Sequence, residues 1–243
     1  MKKRPFLLAS VLLAGCFVFF LALAVTVASF VGQPTNLVIG DRIGIVEIYG
    51  VIADSKQVIE QLHDFRDNDS IKALVLRIDS PGGGVGPSQE IYDEVLALDA
   101  LKPVVVSMGS VAASGGYYVA AAAREIVANP GTITGSIGVI MEFANFQELL
   151  EKIGLSSVVV KSGAYKDIGS PTREMSIAEK EILQDLIDDV HSQFVSSVAE
   201  GRELDEQAVR SIADGRIFSG RKAMQLGLVD RMGNLQVAID RAA

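Results

Sequence analysis

Ser114 lies in the run Gly109-Ser110-Val111-Ala112-Ala113-Ser114-Gly115-Gly116-Tyr117-Tyr118, with small side chains on both sides. A hydroxyl among Ala and Gly can be reached closely by a substrate chain. A serine where a helix begins also gains from the helix dipole, and the Gly115 amide beside it could hold a developing oxyanion. The same pattern serves close helix packing or an N-cap serine, and it is not the G-x-S-x-G elbow. A second run, Asp79-Ser80-Pro81-Gly82-Gly83-Gly84, follows an apolar stretch. Its amides suit an anion or an oxyanion, although it matches neither G-x-G-x-x-G nor G-K-[ST]. A tight strand-to-helix turn is the competing reading. A third run, Gly131-Thr132-Ile133-Thr134-Gly135-Ser136-Ile137-Gly138-Val139, is either a loop before a strand or a backbone track for a bound peptide.

A serine hydroxyl is a weak nucleophile and needs a base. The usual partner is a His-Asp pair. The two histidines, His63 and His191, each fall in a charged, helix-like stretch and read as solvated. That leaves the lysines downstream: Lys152, Lys161, Lys166, Lys180 and Lys222. Lys152 and Lys180 sit on charged helical stretches and read as solvated. Lys166 follows the uncharged Ser162-Gly163-Ala164-Tyr165. A lysine base must be neutral near pH 7, so its pKa must fall from about 10.4 to roughly 7–8. Lowering it that far costs about 4 kcal/mol, which desolvation by the fold must supply. Asp167 would oppose the change if it faced the amine.

Strands alternating with helices must position these groups. Hydrophobic spacing predicts strands at 43–48, 73–78 and 104–106, helices at 55–68 and 87–98, a helical stretch at 113–123 and extended chain at 125–128. Further strands are predicted at 137–141 and 156–161 with a helix near 145–153 between them. A long amphipathic helix is predicted over 176–199, where Ser176 and Glu179 make a capping-box signal. Smaller helices follow near 205–213, 219–226 and 233–241. The alternation predicts an α/β domain with largely parallel pairing.

The 243 residues suffice for one good-sized domain and an extra segment. Residues 6–31 are 26 positions without a charge. As a helix they would span about 39 Å against about 30 Å of hydrocarbon. They are expected to be a transmembrane signal anchor, with 1–5 a basic head left in the cytoplasm, 32–41 a linker and 42–243 the soluble domain outside the cytoplasmic membrane. A cleaved signal peptide is a rival, though its apolar core is usually only 7–15 residues. A lipidated Cys16 is another, since Leu13-Ala14-Gly15-Cys16 resembles a lipobox, but the apolar run continues past it. Net charge is −8, and beyond the first forty residues there are 19 basic and 30 acidic side chains. An acidic domain repels phosphate backbones, so nucleic-acid binding is set aside. With one cysteine there is no intrachain disulfide, and no Cys/His cluster suits zinc.

Four motifs in order resemble those of the bacterial signal peptide peptidase A family in its short, single-repeat form. They are Ser80-Pro81-Gly82-Gly83-Gly84, Ser107-Met108-Gly109-Ser110 through Tyr118, Thr134-Gly135-Ser136-Ile137-Gly138-Val139, and Lys161-Ser162-Gly163-Ala164-Tyr165-Lys166-Asp167. The resemblance covers roughly 40–243, and the apolar N-terminus also fits. It implies a Clp/crotonase-like α/β fold of repeated ββα units. It implies Ser114 as nucleophile, Lys166 as general base, the Gly83 and Gly115 amides as oxyanion hole, and Ser136 as the serine that orients the lysine. It further implies membrane-embedded remnant signal peptides as substrates, no metal or other cofactor, and a homo-oligomer, octameric in the short form, whose dyad a neighbouring protomer could complete. Two rival classes are an acyl-thioester enzyme of the crotonase type and a non-catalytic membrane scaffold.

Overall fold

A computed structural model of the chain describes residues 13–23 and 41–243. Of the expected anchor 6–31, residues 13–23 are helical and exposed, and the rest lies outside the described residues, as does most of the linker. Among the described residues no helix is long and apolar enough to cross a membrane.

Residues Asp41–Ala243 form one compact unit. In chain order it contains β1 (Arg42–Ile52), α1 (Lys56–Asp67), β2 (Ile71–Gly83), α2 (Val85–Asp99), β3 (Val104–Ala113), α3 (Gly115–Ala120), β4 (Glu125–Ala128) and β5 (Ile133–Gly135). There follow α4 (Gln147–Lys152), α5 (Ile177–Gly201), α6 (Glu206–Arg210), β6 (Ile217–Ser219), α7 (Gly220–Gln225), β7 (Arg231–Met232) and α8 (Leu235–Ala242). The sheet runs β1-β2-β3-β4-β7, and β5 joins the far end of β3 and carries β6. Every pairing is parallel except β5–β6. The α/β class and the parallel pairing are therefore as the alternation predicts.

Period-2 alternation sorts the side chains to two faces. Leu74, Leu76 and Ile78 of β2 and Val104, Val106 and Met108 of β3 join a large core that also takes residues of α2, α3 and α5. Ala73, Val75 and Val105 face the other way and are covered by Ala238 and Ala242 of α8. Both faces of the central strands are buried, which is why these segments read as nearly unbroken apolar runs. Fully burying one such Leu or Ile stabilises by about 1.5–3 kcal/mol, so these strands are stiff footings for what their ends carry.

Beyond the core the strands lose register. Ile78 pairs with Met108 but Ser80 pairs with Ala112, so β3 bulges between. The Asp79 carboxylate accepts a hydrogen bond from Val111 N (3.0 Å) within that bulge. A side chain on Gly109 would begin 2.6 Å from the same carboxylate. After the bulge β3 leaves β4 and takes β5 as neighbour. Thr132 and Thr134 tie the new pairing through bonds from Oγ1 to Gly109 O (2.7 Å) and Ala112 O (2.6 Å).

Two predicted strands are absent. Residues 137–141 and 156–161 belong to no sheet. Their backbones meet no strand within the unit, and Ile140, Val158 and Val160 are 83%, 86% and 97% exposed. Alternation alone cannot supply a pairing partner. The helix predicted over 113–123 is cut to Gly115–Ala120, because the chain turns sharply at Ser114.

Candidate active site

Ser114 sits where β3 ends and α3 begins, with φ 53° and ψ −124°. A side-chain-bearing residue pays of order 1–3 kcal/mol to hold such an angle. The turn persists because both flanks are fixed. Ser114 N donates to Gly135 O (2.9 Å), and Ser114 O accepts from Tyr118 N (2.8 Å) in the first turn of α3. Ser114 is half-buried and lines two adjoining cavities.

The two glycine runs meet here. A Cβ on Gly82, whose φ is +103°, would lie 2.7 Å from both Gly115 N and Ser114 Cβ. A Cβ on Gly115 would lie 3.2 Å from Gly83 N. Gly84 N donates to Ile52 O (2.8 Å). Along a strand successive amides point to opposite edges, so the Gly83 N–H points away from β1, to the Ser114 side. The Gly115 amide is in the first helical turn and has no intrahelical acceptor. The Gly83 and Gly115 amides thus lie close together beside Ser114, an arrangement suited to an oxyanion.

Ser136 joins Ser114, Gly83 and Gly115. It follows β5 with φ 53° immediately after Gly135 at φ +78°, and Ser136 N donates to Arg216 O (2.9 Å). This double turn carries its side chain into the cavity of about 480 Å³ that Ser114 also lines. The other cavity, about 90 Å³, has Gly83, Ser114 and Gly115 at its floor and walls of Val85, Tyr118, Val139, Ile140, Val190 and Phe194. Its walls are mostly apolar side chains, and it opens beside Ser114.

The structure brings Ser114, Gly83, Gly115 and Ser136 together. It does not bring Lys166 to them within one protomer. Lys166 is exposed and lines neither cavity. It stands in a series of turns, in which Lys166 N donates to Gly163 O (3.2 Å). Asp167 does not confront an unpaired amine. Its carboxylate accepts from Lys161 Nζ (2.6 Å) and from Arg173 Nε (2.9 Å) and Nη2 (2.9 Å). Those bonds, the Arg173 pair foremost, hold it well below the usual carboxylate range. Lys161 is thereby committed to the ion pair with Asp167, and its Nζ also donates a hydrogen bond to Ala164 O (2.8 Å). Lys152 lies 3.9 Å from Glu148 on exposed α4.

His191 is not the solvated residue its sequence neighbourhood suggests. It lines the larger cavity with Gln184, Ile187 and Asp188, and its Nε2 is buried without a partner. The signal was present as the spacing 184, 187, 188, 191, one face of a helix. His63 instead pairs with Glu94 (2.8 Å) across α1 and α2. Among the described residues no His/Cys/Asp/Glu cluster suits a metal ion.

The family model described as Peptidase family S49 matches residues 97–243. The chain belongs to peptidase family S49. A Clp protease model matches residues 40–132, in keeping with the parallel α/β sheet. A "Putative protease slr0021" from Synechocystis is 50% identical over 204 residues, covering 83% of this chain and 73% of that protein. A "Putative signal peptide peptidase SppA" from Enterococcus faecium is 37% identical over 80% of this chain and 61% of its own length. A "Putative protease MJ0651" from Methanocaldococcus jannaschii is 42% identical over 77% of this chain and 60% of its own. The chain thus spans some three fifths to three quarters of these relatives of the S49 family.

Proposed function

We propose that this S49 chain is a serine endopeptidase in which Ser114 is the nucleophile and Lys166, from a neighbouring copy, the general base. The observation that carries the proposal is Ser114 in a strained turn, beside the Gly83 and Gly115 amides and above an apolar slot. Ser114 Oγ attacks a peptide carbonyl while neutral Lys166 takes its proton. The oxyanion sits between the two glycine amides. Lys166 then gives the proton to the leaving amine, and water cleaves the acyl-enzyme through the same base. Ser136 would accept from or donate to the amine, which orients it without adding charge. Each step is carried by groups of the chain itself.

Lys166 lies exposed on a segment rich in exposed apolar side chains, among them Ile140, Leu149, Ile153, Val158 and Val160. A second copy would cover these and receive the lysine, away from bulk water, in the cavity beside Ser114 and Ser136. A closed ring of such head-to-tail contacts, an octamer by resemblance, repeats the site at every interface. The apolar slot suits an aliphatic side chain next to the scissile bond. Extended apolar peptides, such as signal peptides left in the membrane, fit it, and the name of the Enterococcus relative agrees. Residues 6–31 would anchor the enzyme in the cytoplasmic membrane with its catalytic unit outside.

A second reading has one observation in its favour. His191 lines the Ser114 cavity within the same protomer, and Asp188, three residues before it, lies on the same helix face. The test is hydrolysis of a fluorogenic peptide with Leu before the scissile bond, by the wild type and by Ser114→Ala, Lys166→Ala and His191→Phe. Loss with the first two and turnover with the third supports the dyad. Retained turnover in Lys166→Ala with loss in His191→Phe replaces the lysine with the histidine.

A further inference from the structure

Arg173 is placed between two carboxylates and makes more bonds than any exposed-helix arginine requires. Nε and Nη2 grip Asp167 (both 2.9 Å), and Nη2 also donates to Asp167 O (3.1 Å). Nη1 donates to Glu179 Oε2 (2.8 Å) and Nη2 to Glu179 Oε1. Glu179 is buried, and through Oε2 it also accepts from Ser176 N (2.8 Å) in the capping box of α5. Arg173 therefore ties the residue next to Lys166 to the first turn of the helix that walls both cavities. Bidentate guanidinium–carboxylate pairs are the geometrically specific kind.

The cavity proposed to receive the amine carries Asp188, His191 and Asp214, and the Lys166 turn carries its own ion pairs. Lys161 and Arg173 offset Asp167 and Glu179. Tyr165 in the turn and Glu174 are both exposed. From the elements packed alongside, α4 contributes Glu148 and Lys152 as a pair and Glu151 bonded to Gln147, and the stretch before it contributes Glu142. Gln147 joins the two sides by accepting from Glu174 N (3.1 Å).

We infer that Arg173 is a positioning residue for the reaction: it fixes the Lys166 turn to α5 and neutralises Asp167, so that the neighbouring amine can act as an uncharged base. The inference rests on the reading of Lys166 as the base. Without Arg173 the cluster gains a net negative charge beside Lys166, which favours the ammonium. Without the Asp167 charge it gains a net positive one, which favours the free amine.

The experiment is the pH profile of kcat/KM on the fluorogenic peptide, in the full chain, for wild type, Arg173→Met, Asp167→Asn and the double variant. Activity through a lysine base rises as the amine deprotonates, so the midpoint of the acidic limb reports it. The midpoint should rise by about 0.5–1 pH unit in Arg173→Met, fall by a similar amount in Asp167→Asn, and return toward wild type in the double variant. The displacements should shrink in high salt. A clamp that only held the fold would lower the rate in Arg173→Met without moving the midpoint. Asp167→Asn keeps the shape of its side chain and gives a readable profile even if Arg173→Met folds poorly. Midpoints that stay put, or move the same way in both single variants, overturn the inference while Lys166→Ala remains inactive. Turnover in Lys166→Ala would instead remove the dyad on which it rests.

Discussion

At the scale of single residues, backbone strain falls on Ser114, the residue proposed as nucleophile. Its φ of 53° lies where side chains are costly and glycine is not. Ser114→Ala and Ser114→Gly should both lose activity by about a thousandfold or more. The glycine variant should melt about 2–4 °C above the alanine one, because only it is freed from the strained Cβ. Equal melting temperatures, read by calorimetry, would mean that the turn is unstrained. The small residues around Ser114 were legible as a chemical signature, since they are consecutive in the chain. The positive φ at Ser114 and Ser136 was not, because it arises from β5 docking onto the far end of β3. His191 was misjudged for a related reason. Its sequence neighbourhood reads as a solvated face, whereas Ala213, Asp214 and Gly215 from beyond the helix line the same cavity.

Among the elements, α5 decides the shape of the site, supplying Val190, Phe194, Gln184 and His191 to the two cavities. Its start is held by a capping box between Ser176 and Glu179, as the spacing of those residues predicts. Ser176→Ala should cost about 1 kcal/mol, lowering the melting temperature by about 2–4 °C. Glu179 is lowered from 4.5 to about 2, first by the Arg173 side chain and then by the Ser176 amide. A carboxylate depressed on folding adds stability that is complete above its unfolded value and is lost as pH falls through the folded one. Melting temperature should therefore drop as pH falls from about 4.5 to about 2, and Glu179→Gln should flatten that drop. A drop of the same size in the variant would assign acid sensitivity elsewhere. Helices with their own caps and apolar stripes were legible within a few residues. The predicted strands at 137–141 and 156–161 failed because strands need a neighbour, and none lies within the unit. The short β5, β6 and β7 escaped notice for the converse reason, being two or three residues that the sheet recruits.

For the whole molecule, the proposed nucleophile with its neighbouring amides and the proposed base lie apart in one protomer, and the base stands on a surface of exposed apolar side chains. Val160→Asp should leave the unit folded, since Val160 is 97% exposed, yet lower both sedimentation coefficient and activity. Unchanged assembly with full activity would remove that surface from the interface. The most direct measurement of the shared dyad mixes two inactive variants, Ser114→Ala and Lys166→Ala, dissociates them and reassembles them at equal amounts. If each site takes its serine from one copy and its lysine from the next, random head-to-tail assembly restores roughly a quarter of wild-type activity. If the mixture stays as inactive as its components while sedimenting like the wild type, the dyad is not shared between copies.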